Sequence, residues 1–189
     1  MNVPSNKLGD LIRFYTKELA LLYPVGEARS MIELLVAHYF SVTKLQLVVN
    51  PDLRLNETEL LKLHFAVKEL KKFKPVQYIL NNCTFDGNNF FVDENVLIPR
   101  SETEELVGLC AAFLAMTDNK KVLDLGTGSG CIAISLAKRI PGAQVTAVDV
   151  SANALHIAEQ NAIANNVVLQ LIQADILNDN QFVTNTKFS

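Results

Sequence analysis

Val122-Leu123-Asp124-Leu125-Gly126-Thr127-Gly128-Ser129-Gly130-Cys131 is the stretch that decides the fold, because a strand-like apolar run passes there into alternating glycines and then into a helical segment. Glycine permits backbone torsions that a side chain forbids and lets the main chain approach a ligand closely. Working outward from this turn, strands are expected at 122–125, 144–148 and 167–172, with helices at 131–139 and 152–165 between them. Such alternation demands a parallel sheet with crossover helices, so the fold class is α/β, with an incomplete parallel sheet.

The spacing of the glycines bears on the ligand. A dinucleotide fingerprint puts its third glycine three residues after its second, whereas here Cys131 holds that position and the glycine falls at 130. A pyrophosphate exploits the positive end of the following helix, but the acidic Asp124 beside this loop suits a cation better than another anion. S-adenosylmethionine, which carries a sulfonium and an ammonium, is such a cation. Asp149 ends the next strand, where an acid can accept hydrogen bonds from both ribose hydroxyls. Asp175, in Gln173-Ala174-Asp175-Ile176, follows the third strand, where an adenine edge would lie. Each of these has a plainer alternative: glycine in a tight turn without ligand, Asp149 beside Ser151 as a helix cap, and Asp175 as a turn residue.

The first part of the chain has a different rhythm. Leu8, Leu11, Ile12, Tyr15, Leu19 and Leu22 recur at steps of three and four, the stripe of an amphipathic helix over 5–23. A second helix is expected after Pro24, with Met31, Ile32, Leu34, Leu35 and Val36 crowding its middle, and a short helical turn over 43–48. Asn56 followed by Glu59 has the spacing of a capping box opening a helix to about Phe73, whose tail of lysines, Lys68, Lys71, Lys72 and Lys74, suits the negative helix end as a solvated face. Pro75 then ends it. Beyond it, Thr84-Phe85, Asp86-Gly87-Asn88 and Phe90-Phe91-Val92 predict a hairpin, 96–99 is extended, and Ser101 to Glu104 repeats the capping pattern at the head of another helix. The domains expected are 1–74, helical; 75–100, a hairpin linker; and 101–189, the partial sheet.

Composition narrows the function. The net charge of −3 gives no basic footprint of the kind that drives nucleic-acid affinity, so direct nucleic-acid binding is not expected. No apolar run approaches the length that spans a bilayer, and no cleavable leader is visible, so a cytoplasmic location and no membrane are expected. Cys83, Cys110 and Cys131 lack the paired short spacings of a metal site or a disulfide framework, and His38, His64 and His156 are scattered; no metal is expected.

Over nearly its whole length the chain resembles the PrmC or HemK family, glutamine methyltransferases that modify class I peptide chain release factors. The distinctive residues are Pro75-Val76-Gln77-Tyr78-Ile79-Leu80, Phe85-Asp86-Gly87, Phe91-Val92 and Val96-Leu97-Ile98-Pro99-Arg100-Ser101-Glu102-Thr103-Glu104. Two residues depart from the family's usual pattern: Asn81 stands for a glycine and Ser101 for a proline. The resemblance implies an incomplete Rossmann-like class I methyltransferase sheet that binds S-adenosylmethionine, a helical first domain that helps recognise the release factor, and Gly126, Thr127, Gly128, Ser129, Gly130, Asp149 and Ile176 around the cofactor, with Ile176 against adenine. Arg100 and Glu102 are the candidate substrate residues, although Glu102 and Glu104 also suit a capping role. The family's Asn-Pro-Pro-Tyr motif, which grips the glutamine amide, does not occur in the 189 residues. Catalytic residues therefore stay unassigned, the chain as given is expected not to turn over, and the strand over 122–125 is expected to keep an unpaired edge that invites association. The alternatives are an adenine-amino nucleic-acid methyltransferase, a nicotinamide-dependent oxidoreductase and a non-catalytic release-factor-binding module.

Overall fold

The computed structural model, which describes residue 3 and residues 5–178, turns the first apolar stripe into α1 (Leu8–Leu19), with Leu8, Leu11, Ile12, Tyr15 and Leu19 buried. Leu22 lies past the helix end and is 46% exposed, so the stripe is shorter than the sequence pattern suggests. Four more helices follow in this part: α2 (Val25–Phe40), α3 (Lys44–Val49), α4 (Glu57–Leu70) and α5 (Val76–Leu80). Ile32 and Leu35 of α2 and Leu63, Val67 and Leu70 of α4 close one core over the α1 stripe. Leu34 points outward, because it falls between the buried positions Met31, Ile32, Leu35 and Val36.

The Asn56–Glu59 capping box is present: Glu59 N–H donates to Asn56 Oδ1 and Asn56 N–H donates to Glu59 Oε2, both at 2.9 Å. A second box, Thr43 with Gln46, opens α3. Lys71 pairs with Glu18 and Lys72 with Glu69 on the surface, where ion pairs contribute little, in keeping with a solvated face. Pro75 does more than end α4. Its carbonyl accepts from Tyr78 and Ile79 N–H, so it also launches α5, where a missing N–H costs nothing.

The chain divides into two units, one through Leu80 and one from Asn81, so α5 belongs to the helical unit and the hairpin to the second. In the second unit β1 (Cys83–Phe85) and β2 (Asn88–Phe90) pair antiparallel, with Phe85 opposite Asn88. Only Asp86 and Gly87 therefore form the turn, with φ of 49° and 71°, the two left-handed residues of a tight hairpin. The second strand lies two residues earlier than the sequence suggests because Phe91 leaves the ladder: its N–H and C=O both bond to the side chain of Asn161. Arg139 clamps the turn through a bidentate pair with the Asp86 carboxylate.

The expected capping box at 101–104 does not form. Ser101 is already helical (φ −58°, ψ −34°) and its hydroxyl makes no cap bond, while Glu104 Oε1 accepts instead from Asp86 N–H at 3.0 Å. The helix that follows is α6 (Glu102–Ala115). Three parallel strands, β3 (Lys121–Leu125), β4 (Gln144–Asp149) and β5 (Gln170–Gln173), lie in the order β3-β4-β5, crossed by α7 (Cys131–Arg139) and α8 (Ala152–Ala164). Strand β5 begins later than 167 because Asn166 is left-handed and Val168 is exposed; pairing starts with Gln170 opposite Thr146. Phe85, Phe90, Val107, Ile134 and Leu136 form the main core of this unit, and Ala133, Val145 and Ala147 fill the space between α7 and the sheet. No described helix is long and apolar enough to cross a membrane.

Candidate functional site at the strand tips

The carboxyl ends of three parallel strands are where an open α/β sheet binds ligands, and here hydrogen bonds stitch the three ends together. At the tip of β3 the N–H groups of Gly126 and Thr127 both donate to Val148 O of β4, at 2.8 and 2.9 Å. Gly128 N–H donates to Asp149 Oδ2 at 2.9 Å, and Ala174 N–H, just past β5, donates to Asp149 O at 3.1 Å. The loop has this path because Gly126, Gly128 and Gly130 all take positive φ, at 74°, 55° and 79°.

The three glycines do different things. A side chain at Gly126 or Gly128 would meet no atom within 4 Å, so both face open space. At Gly130 a Cβ would lie 3.2 Å from Ala158 Cβ and from Ile134 Cδ1, so this glycine serves the close packing of α7 against α8. The sequence pattern read all three alike; only the packing separates them.

Asp124 sits under the loop and its Oδ2 accepts from Thr127 Oγ1 at 2.7 Å. Burial lifts its pKa above the usual carboxylate range, and the nearby charge of Asp149 adds to that. A cation in the site would offset both. Asp149 is held by backbone on both oxygens, Gly128 N–H on Oδ2 and Ser151 N–H on Oδ1 at 3.0 Å. Ser151 rather than Asp149 caps α8, accepting from Ala154 N–H at 3.2 Å.

Asp175 reaches the same edge but turns back on its own loop: Leu177 N–H donates to Oδ1 at 3.0 Å and Asn178 Nδ2 to Oδ2 at 2.7 Å. The Asn178 side-chain bond is the main reason its pKa is lowered. Ile176 is 37% exposed beside it. Arg100 and Glu102 lie exposed at the entry to α6, and none of their described hydrogen bonds or ion pairs reaches the glycine loop; Ser101 Oγ donates to Glu102 Oε2 at 3.4 Å. Burial keeps the Cys131 thiol protonated, pushing its pKa up to about 11. No group of three or more His, Cys, Asp or Glu among the described residues is placed to hold a metal ion.

The sequence reading missed Asn161, which is 1% exposed and bonds to Ser129 O at 2.9 Å. A signal was there: a polar residue among Ile157, Ala158 and Ala162 on the inner face of α8 requires a buried partner.

Residues 10–80 match the family model of the PrmC N-terminal domain and residues 107–186 that of the methyltransferase small domain. The release factor glutamine methyltransferase of Flavobacterium psychrophilum is 42% identical over 166 residues, covering 86% of this chain and 58% of that protein. The protein of the same name from Chlorobaculum tepidum is 41% identical over 184 residues, covering 93% of this chain and 63% of the relative. A Streptococcus pneumoniae protein of that name is 48% identical over 108 residues, 57% of this chain and 38% of the relative. The chain thus spans less than two thirds of the length of these relatives.

Proposed function

Because this chain belongs to the release factor glutamine methyltransferase family, we propose that its strand tips bind S-adenosylmethionine for methylation of a glutamine side-chain amide in a class I peptide chain release factor. The single observation that carries the donor half is the junction of Gly128 and Asp149: one hydrogen bond fixes an open glycine turn against a strand-tip carboxylate. Asp149 keeps lone pairs for two ribose hydroxyls, since each oxygen accepts only one described backbone bond. Asp124 supplies the negative charge; burial raises its pKa, and a cation bound beside it would favour the ionised form. Thr127 orients that carboxylate. Gly126 and Gly128 form the open turn wall with the buried Ser129 behind it, and Ile176 and the loop at Asp175 are assigned here to the adenine side.

When bound, the donor supplies an electrophilic methyl on its sulfonium. An amide nitrogen is a poor nucleophile because its lone pair is delocalised into the carbonyl, so positioning must supply much of the rate. Arg100 and Glu102 are the residues of this chain proposed to face the protein substrate, and the helical unit through Leu80 is proposed to help recognise it. A release-factor substrate places the reaction in the cytoplasm. Competition of tritiated S-adenosylmethionine against nicotinamide dinucleotides tests the donor reading. Displacement by S-adenosylhomocysteine alone is expected, and displacement by a dinucleotide instead would replace this reading with an oxidoreductase one.

A further inference from the structure

Asn161 is the most completely engaged buried polar side chain of the second unit, and nothing in the proposed chemistry uses it. Its Oδ1 accepts from Phe91 N–H at 2.6 Å, and its Nδ2 donates to Phe91 O and to Ser129 O, each at 2.9 Å. Ser129 O and Gly130 N–H belong to one peptide plane, which meets the left-handed Gly130 on one side and is one residue from the left-handed Gly128, so local backbone preference holds it only weakly in one orientation. That plane is pinned at both ends: Gly130 N–H donates to Thr127 O at 2.9 Å, and Ser129 O takes the Asn161 amide. The Ser129 hydroxyl is buried beside the Cys131 thiol, so it does not share the task. The same Asn161 amide holds both polar groups of Phe91, where the chain leaves the hairpin toward Arg100 and Glu102.

We propose that Asn161 is a positioning residue for the strand-tip site: it fixes the Ser129–Gly130 peptide plane in the ligand-ready orientation and ties that loop, through Phe91, to the segment leading to Arg100 and Glu102. The inference rests on the methyl-donor reading above. An apolar residue would fill this core position without the cost of burying an amide, so the amide is there for the two segments it joins.

The test is calorimetric titration of the chain with S-adenosylhomocysteine. Asn161→Asp keeps size and the acceptor for Phe91 N–H but cannot donate to either carbonyl. We expect its Kd to rise by about tenfold. Thr84→Val removes the Thr84 Oγ1 bond to Asn89 Oδ1 in the same hairpin without touching Asn161 or the glycine loop, and should stay within about twofold of the unsubstituted chain. An unchanged Kd for Asn161→Asp overturns the inference. A second measurement needs no folded variant: in NMR titration of the unsubstituted chain, the Asn161 Nδ2 protons and the Phe91 amide should shift with the same isotherm as Gly128. Signals of Asn161 and Phe91 that stay fixed while Gly128 moves overturn it as well. If the unsubstituted chain takes up no ligand, the methyl-donor reading fails and this inference falls with it. Uptake with an indifferent Asn161→Asp removes the inference alone.

Discussion

Asn81 and Ser101, the two departures from the family pattern, both find a conformational reason. Asn81 takes φ +49°, where glycine is at ease and asparagine is the next best tolerated residue, and its Nδ2 donates to Val92 O at 3.1 Å. Asn81→Ala keeps neither advantage and should lower stability by about 1–2 kcal/mol in denaturant unfolding, whereas Asn81→Gly should be near neutral. Ser101 has the φ that proline fixes, so Ser101→Pro should raise the melting temperature by about 2–4 °C through the unfolded chain. Among the glycines, Gly130→Ala meets two 3.2 Å contacts as well as an unfavourable φ and should cost about 2–3 kcal/mol; Gly128→Ala, facing open space, should cost about 1. Asp124 carries a pH signature. Its folded pKa lies above the ordinary value of 3.8, so its contribution to stability is fully present below that value and is lost as the pH rises through the folded one. Asp124→Asn should therefore raise the melting temperature of the ligand-free chain at neutral pH, lose that advantage below about pH 4, and bind the methyl donor more weakly.

At the scale of elements, most of the secondary structure could be read from periodicity, because the apolar stripe of α1, the capping box of α4 and the alternation from β3 to β5 are local patterns. What could not be read was decided by contacts distant in sequence. The hairpin ends at Phe90 because Asn161 captures Phe91, and Glu104 serves the hairpin because its carboxylate accepts from Asp86 N–H instead of capping its own helix. Asp175 shows the same limit inside the site: the sequence left it open between turn residue and ligand contact, and only the bonds from Leu177 and Asn178 show the turn taking up its carboxylate. The Gly128–Asp149 bond likewise joins residues whose adjacency follows only from the β3–β4 register.

At the scale of the whole chain, the helical unit and the sheet unit each have their own buried core. Strand β3 pairs only with β4 among the described strands, and beside it α6 exposes Leu106, Leu109 and Phe113, continued by Met116 just past the helix end. An unpaired strand edge next to an apolar stripe invites association. Light scattering should find the chain self-associating at micromolar concentration, and Phe113→Glu, which is 69% exposed in the unsubstituted chain, should shift it toward monomer without loss of stability. The site proposed above is a glycine turn and the Asp124 and Asp149 carboxylates, gathered at the strand ends around one sulfonium-bearing nucleoside. Its most direct test is calorimetry of the folded chain with S-adenosylmethionine, run beside Asp149→Asn. One-to-one uptake is expected, weakened about tenfold in the variant. No uptake by the folded chain, or equal affinity for both, would contradict it.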